Sequence, residues 1–167
     1  GLNKMTASRA LNDLYNLNLI KYQIGGRTGR SKEYKRISDP DYFLRGREYL
    51  KTPVRRIIYA ESKPLGALTA GLDALALLSM INPSGHSIIA IEKNKFDENQ
   101  IEIVKNKDFI KDAKLVEIEL WDYDPRLFSN SSNVDILSLY ASLKNETDER
   151  VEQALEDVLR GELWYTD

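Results

Sequence analysis

The sequence predicts a mixed α/β chain of the α+β kind, in which a short helix-and-hairpin unit precedes a small mixed α/β domain. Three observations predict it. Apolar residues recur at helical spacing near the start and give way to two alternating runs around a glycine-rich turn; later segments switch between strand-like and helix-like spacing; and charge divides the chain. Residues 1–60 carry thirteen Lys and Arg against five Asp and Glu, whereas residues 61–167 carry eleven against twenty-one, so +8 meets −10 within a net charge of −2. A basic block of this size is the footprint expected for binding a polyanion, with an acidic protein as the other target.

The elements follow in order. Leu11, Leu14 and Leu17, with Ala7 and Ala10, give one apolar helical face, while Thr6, Ser8, Arg9, Asn12 and Asp13 point elsewhere. Asn3 suits the N-cap, and Asn18 stands where Gly or Asn closes a helix in the left-handed conformation. Residues 19–24, LIKYQI, and 31–37, SKEYKRI, alternate around GGRTGR, which predicts a β-hairpin with Arg27 and Arg30 at its tip. Ser38, Asp39 and Pro40 mark a boundary, and residues 41–50 read as a linker helix with Phe43, Leu44 and Leu50 on its buried side. The expected division is residues 1–38, a linker at 39–52, and a second domain at 53–167.

Beyond Pro53, VRRIIYA suits a strand, TAGLDALALLSMI an apolar helix stopped by NPSG, and HSIIAIE and KLVEIELWDYD two strands; IEIV is a further strand-like run. DILSLYASL and TDERVEQALEDVL are helices, the latter with Val151, Ala154, Leu155, Val158 and Leu159 in one stripe, Thr147 in front and Gly161 behind. Residues 130–133, NSSN, form a polar loop.

Composition narrows the chemistry. With 42% apolar and 30% charged residues the chain is an ordinary globular sequence. No run approaches the roughly 18 apolar residues of a membrane span, and no secretory leader is legible, so the expected location is cytoplasmic. Zero cysteines exclude disulfides, a thiol nucleophile and Cys-ligated metal, and the single His86 cannot build a His-rich zinc site. Neither a metal nor a cofactor is expected. His86 reads as a surface or edge residue; Trp164 and Tyr165 could pack on the body or on a partner.

The stretch MTASRALNDLYNLNLIKYQIGGRTGRSKEYKRI, residues 5–37, resembles the second half of winged helix-turn-helix regulators of the MarR type, in which a Thr/Ser-x-Ser-Arg-x-Leu helix ends in a Gly-Leu-Ile-like corner before the wing. Asn18 stands in place of that Gly. The resemblance implies a truncated winged helix, a recognition helix plus a wing hairpin, that binds double-stranded DNA. Thr6, Ser8, Arg9 and Asn12 would face the major groove or its phosphates, and Arg27 and Arg30, with Lys32 beside them on the wing, would reach the minor groove or backbone. Two preceding helices normally cover the recognition helix, and only Gly1 and Leu2 precede Asn3 and Lys4, so the expectation is either a fragment, which is favoured, or another part of the fold covering Leu11 and Leu14. Paired half-sites suggest a homodimer.

The second half is similar to the C-terminal domain of AbiEi-type antitoxins, through YAESKPLGALTAGLDALALLSMINPSGHSIIAIE, with Gly71, Asp73, Ala74 and Leu75 carrying the match, and through residues 134–159. That resemblance implies an autoregulating antitoxin with a toxin as partner. The leading expectation is a DNA-binding transcriptional repressor whose C-terminal domain binds an effector or protein partner, or dimerises; the antitoxin is the alternative. A metal-dependent nucleotidyltransferase trails, because only Asp122 and Asp124 in WDYDP, two apart on a strand, suit a divalent ion. The competing reading packs Trp121 and Tyr123 and leaves both Asp residues to solvent or to capping the turn at Pro125. No catalytic residue is assigned.

Overall fold

The computed structural model describes residues 3–26, 29–37, 42–104, 114–162 and 165. Its described residues fall into two units, one gathering those up to Leu50 together with Tyr165, the other spanning Lys51–Glu162. The class is mixed α/β, as the sequence predicts.

The first unit opens with α1 (Lys4–Asn16), β1 (Ile20–Gly25), β2 (Ser31–Arg36) and α2 (Tyr42–Gly46), followed by a 3₁₀ turn at Arg47–Tyr49. Local chemistry sets both ends of α1. Asn3 accepts a hydrogen bond from the Thr6 backbone N–H at 2.8 Å, satisfying one of the donors a helix start leaves over. At the other end Asn18 adopts a left-handed φ of 57°, so that its N–H reaches the Tyr15 carbonyl and the Leu19 N–H reaches the Leu14 carbonyl, both at 3.0 Å. This double bond pattern is a Schellman closure, and it turns the buried Leu19 inward. Leu11, Leu14 and Leu17 are half-buried as their spacing predicts, whereas Ala10 is exposed. The hairpin pairs Ile20 with Arg36 and Gly25 with Ser31. The expected linker helix is shorter than its pattern: residues 47–49 tighten into the 3₁₀ turn. Tyr165 packs its ring on Phe43 at 5.6 Å; Trp164 lies outside the described residues.

The second unit contains β3 (Val54–Ala60), β4 (Leu68–Thr69), α3 (Gly71–Leu78), β5 (Ser87–Glu92), β6 (Val116–Trp121), α4 (Ile136–Leu143) and α5 (Glu149–Arg160). The strand order is β3-β6-β5-β4; β5 and β6 run parallel, and the outer strands pair antiparallel to them. Pleating sends alternate residues to opposite faces. Ile88, Ala90 and Trp121 meet Leu75, Leu139, Val151 and Leu155 of the three helices, while Ile89, Ile91, Ile118 and Leu120 meet Phe96, Ile101 and Ile103 on the other side. At about 1.5–3 kcal/mol per large side chain, burial on both faces is the main attraction holding the unit together.

Three expectations change here. Thr69, read as the start of the helix, pairs with β5 beside Leu68, and the helix starts at Gly71. Asp148, not Thr147, caps α5, its carboxylate accepting the Arg150 N–H at 2.9 Å, and Gly161 ends that helix in the right-handed region. Residues 101–104 form a single antiparallel bridge, Ala60 to Ile103, rather than a strand. Among the described residues no helix is long and apolar enough to cross a membrane.

Candidate nucleic-acid interface

The exposed arc of α1 follows from the burial of its opposite side. Successive residues rotate by about 100°, so Ser8, Asn12 and Arg9 share an arc opposite Ala7, Leu11 and Leu14. All three are exposed, and so is Met5, at 64%, which falls in the same arc. Thr6 lies at the edge, toward Asp13. Its hydroxyl donates to the Asn3 carboxamide oxygen at 3.0 Å, so it serves the cap and keeps only acceptor capacity for a ligand.

The hairpin has two unlike faces. On one, Tyr22 opposes Tyr34, with ring centres 5.9 Å apart, and Tyr15 of α1 stacks at an angle on Tyr22 at 5.0 Å. Lys32 belongs to this face: its ammonium sits 4.2 Å from the centre of the Tyr22 ring, while the residue remains exposed. The other face is polar, with Lys21 opposite Lys35 and Gln23 donating to Glu33 at 3.2 Å. At the tip, the Gly29 N–H reaches the Gly26 carbonyl at 3.0 Å, the Ser31 hydroxyl reaches the Gly25 carbonyl at 2.8 Å, and Arg30 is exposed. Arg27 lies outside the described residues.

The acidic pair in WDYDP is engaged by cations. Asp122 meets Arg55 at 2.6 Å and Lys93 at 2.8 Å; Asp124 pairs with Lys95 and accepts the Arg126 N–H at 3.0 Å, capping the 3₁₀ turn Pro125–Leu127. Hydrogen bonds from Lys93 and Arg55, and from Lys95, hold the two carboxyls below their ordinary range. Trp121 is fully buried, and the Tyr123 hydroxyl shares a hydrogen bond with Ser138 at 2.7 Å.

Asp73, named only through a resemblance, and His86, read as a surface or edge residue, both make polar contacts that sequence reasoning missed. Asp73 accepts from the Ser84 N–H, the Ser84 hydroxyl and the Ile88 N–H at 3.1, 2.8 and 3.0 Å, tying α3 to the loop before β5. Glu119 is buried on β6, where Trp121 Nε1 donates to its Oε2 at 2.8 Å. Burial, opposed by the Trp121 N–H and reinforced by the charge of Glu117, pushes its carboxyl up to about 7. Glu117 meets His86 Nε2 at 3.1 Å, and His86 is half-buried directly before β5. The available signal was VEIELW itself: Glu117 and Glu119 alternate with apolar residues, which reads as a solvated face until helices cover it.

Among the described residues no cluster of three or more His, Asp or Glu side chains is arranged to hold a metal ion. No protein-family model, curated protein or solved structure matches the chain.

Proposed function

We propose that this protein is a DNA-binding transcriptional regulator, read through α1 and the β1–β2 hairpin, whose acidic unit binds a protein or small ligand or dimerises. The observation that carries it is the capped α1 with Ser8, Arg9 and Asn12 on one exposed arc, followed directly by a hairpin bearing Arg30 and Lys32. Such a helix fits the major groove, where an Arg bidentate to guanine discriminates by roughly 1–3 kcal/mol. Met5 adds an apolar surface suited to a thymine methyl group. Arg30 and Lys32, both exposed, would meet phosphates, a contribution that is independent of sequence and weakened by salt. The +8 of residues 1–60 is the long-range counterpart of those contacts.

The test is fluorescence anisotropy on specific and scrambled duplexes at several salt concentrations. Arg30→Ala should weaken both duplexes alike and flatten log affinity against log salt by about one unit. Arg9→Ala and Asn12→Ala should cost specific binding more than non-specific binding. Indistinguishable salt slopes and specificity ratios for hairpin and helix variants would overturn this division, and absence of binding to any duplex by the full-length protein would overturn the function.

A further inference from the structure

Helix α3 stops earlier than its sequence pattern. The run of apolar residues continues to Ile81, yet the Ser79 hydroxyl donates to the Leu75 carbonyl at 2.7 Å and the Ser79 backbone turns extended, with φ −143°. The consequence is exposure: Met80 is 100% accessible and Leu78 43%, with Leu77, at 66%, beside them but outside the groove described next. Large apolar side chains gathered in water at one place mark an interaction surface.

A groove of about 1050 Å³ runs between this end of α3 and α5. One wall is formed by Leu72, Leu78 and Met80, and residues 74–83, which supply most of it, carry no charged residue. The other wall holds Asp148, Glu149 and Asp157 together with Arg150, which pairs with Asp148 at 2.8 Å, so three carboxylates face one guanidinium; residues 146–162 as a whole carry seven carboxylates against two arginines. The floor is the apolar stripe of α5, which faces inward.

We infer that this groove binds an amphipathic helix of a partner protein, its apolar side on Leu72, Leu78 and Met80 and its Lys or Arg residues along the flank that meets α5. A helix lying in a groove presents apolar anchors at i, i+3, i+4 and i+7, and a cationic flank matches a wall that is acidic on one side only. A second copy fits less well, because a two-fold contact would bring two such acidic helices into one interface. The inference rests on the acidic unit being the partner-binding unit, and it is independent of how α1 meets DNA.

The probes are the fluorescein-labelled peptides LKKLLKLLKKLLKL and LEELLELLEELLEL, titrated with the full chain. The Lys peptide should bind at least roughly tenfold more tightly than the Glu peptide, and more weakly as salt rises. Met80→Glu should remove most of that affinity, Leu77→Glu, outside the groove, should keep it, and Glu149→Lys with Asp157→Lys should reverse the preference. Equal binding of both peptides, equal loss in the Leu77 and Met80 variants, or full binding by Met80→Glu would overturn the inference. So would self-association in sedimentation that Met80→Glu abolishes while neither peptide binds, since the occupant would then be a second copy. Peptide binding retained by an Arg9→Ala variant that has lost DNA affinity separates this site from the proposed function.

Discussion

The two units solve the problem of ordering a helix in opposite ways. In the basic unit α1 has no fully buried residue, and among the described residues the buried apolar side chains are Leu19, Ile20, Ile37 and Phe43, all outside it. Its definition comes from its ends, the Asn3 cap and the closure at Asn18. In the acidic unit the sheet is covered on both faces, and α5 buries Val151, Ala154, Leu155 and Leu159. Burial there is extensive enough to tolerate a carboxyl in the interior. A helix with a wide polar, exposed arc gives up burial, and its caps compensate; a helix that packs its stripe into a core has no such restriction.

The sharpest way to break the comparison is Gly71→Ala. Gly71 has φ 53°, and a Cβ there would lie 2.7 Å from Ile88 Cγ2 and 3.3 Å from Glu119 Oε1. Left-handed backbone costs about 1–2 kcal/mol for a non-glycine residue, and overpacking adds about 1–3 kcal/mol. Urea unfolding should show the acidic unit destabilised by that combined amount; a loss below about 1 kcal/mol would mean the start of α3 yields easily, contrary to the packing described.

Glu119→Gln comes next and has a definite pH signature. The folded carboxyl is raised from 4.5 to about 7, so the native state holds its proton more tightly than the unfolded chain. The stability linked to that proton is fully present below about pH 4.5 and is lost as pH rises through 7. Near pH 8 the Gln variant should therefore exceed the parent by up to about 3 kcal/mol, and the two should converge near pH 4.5. Thermal melts across this range check it. Curves that stay parallel would remove Glu119 from the account.

In the basic unit the expected effects are smaller and sit at helix ends. Asn3→Ala should cost about 1 kcal/mol of α1 stability, and Asn18→Ala about the same, read as faster amide exchange along the helix. Asn18→Gly, which relieves the left-handed conformation, should leave exchange unchanged or slow it. Smallest of all is Asp122→Asn with Asp124→Asn. These groups lie in partly exposed ion pairs, so the pair of substitutions should cost no more than about 1 kcal/mol and leave duplex affinity unchanged. Appearance of magnesium-dependent nucleotidyl transfer in the parent and its loss in this variant would replace the proposed regulator reading with an enzyme.

Much of this was legible in residue order because its causes are local. Asn3, Asn18, the GGRTGR turn, the α1 arc and the α5 stripe each depend on neighbours within a few positions, where backbone sterics and hydrogen bonds act without knowledge of the fold. Charge division is likewise a property of composition. What only the tertiary structure decided lies between residues distant in sequence. Pairing of β3 and β5 with β6 brings Arg55 and Lys93 to Asp122, and helices laid over VEIELW turn Glu119 from a residue that reads as solvated into a buried acid held by Trp121. Thr69 joins β5 despite its helical pattern, and Ser79 ends α3 before Met80. A side chain's alternation predicts that one strand face differs from the other, but whether that face meets water or a helix depends on which element the chain later brings to cover it.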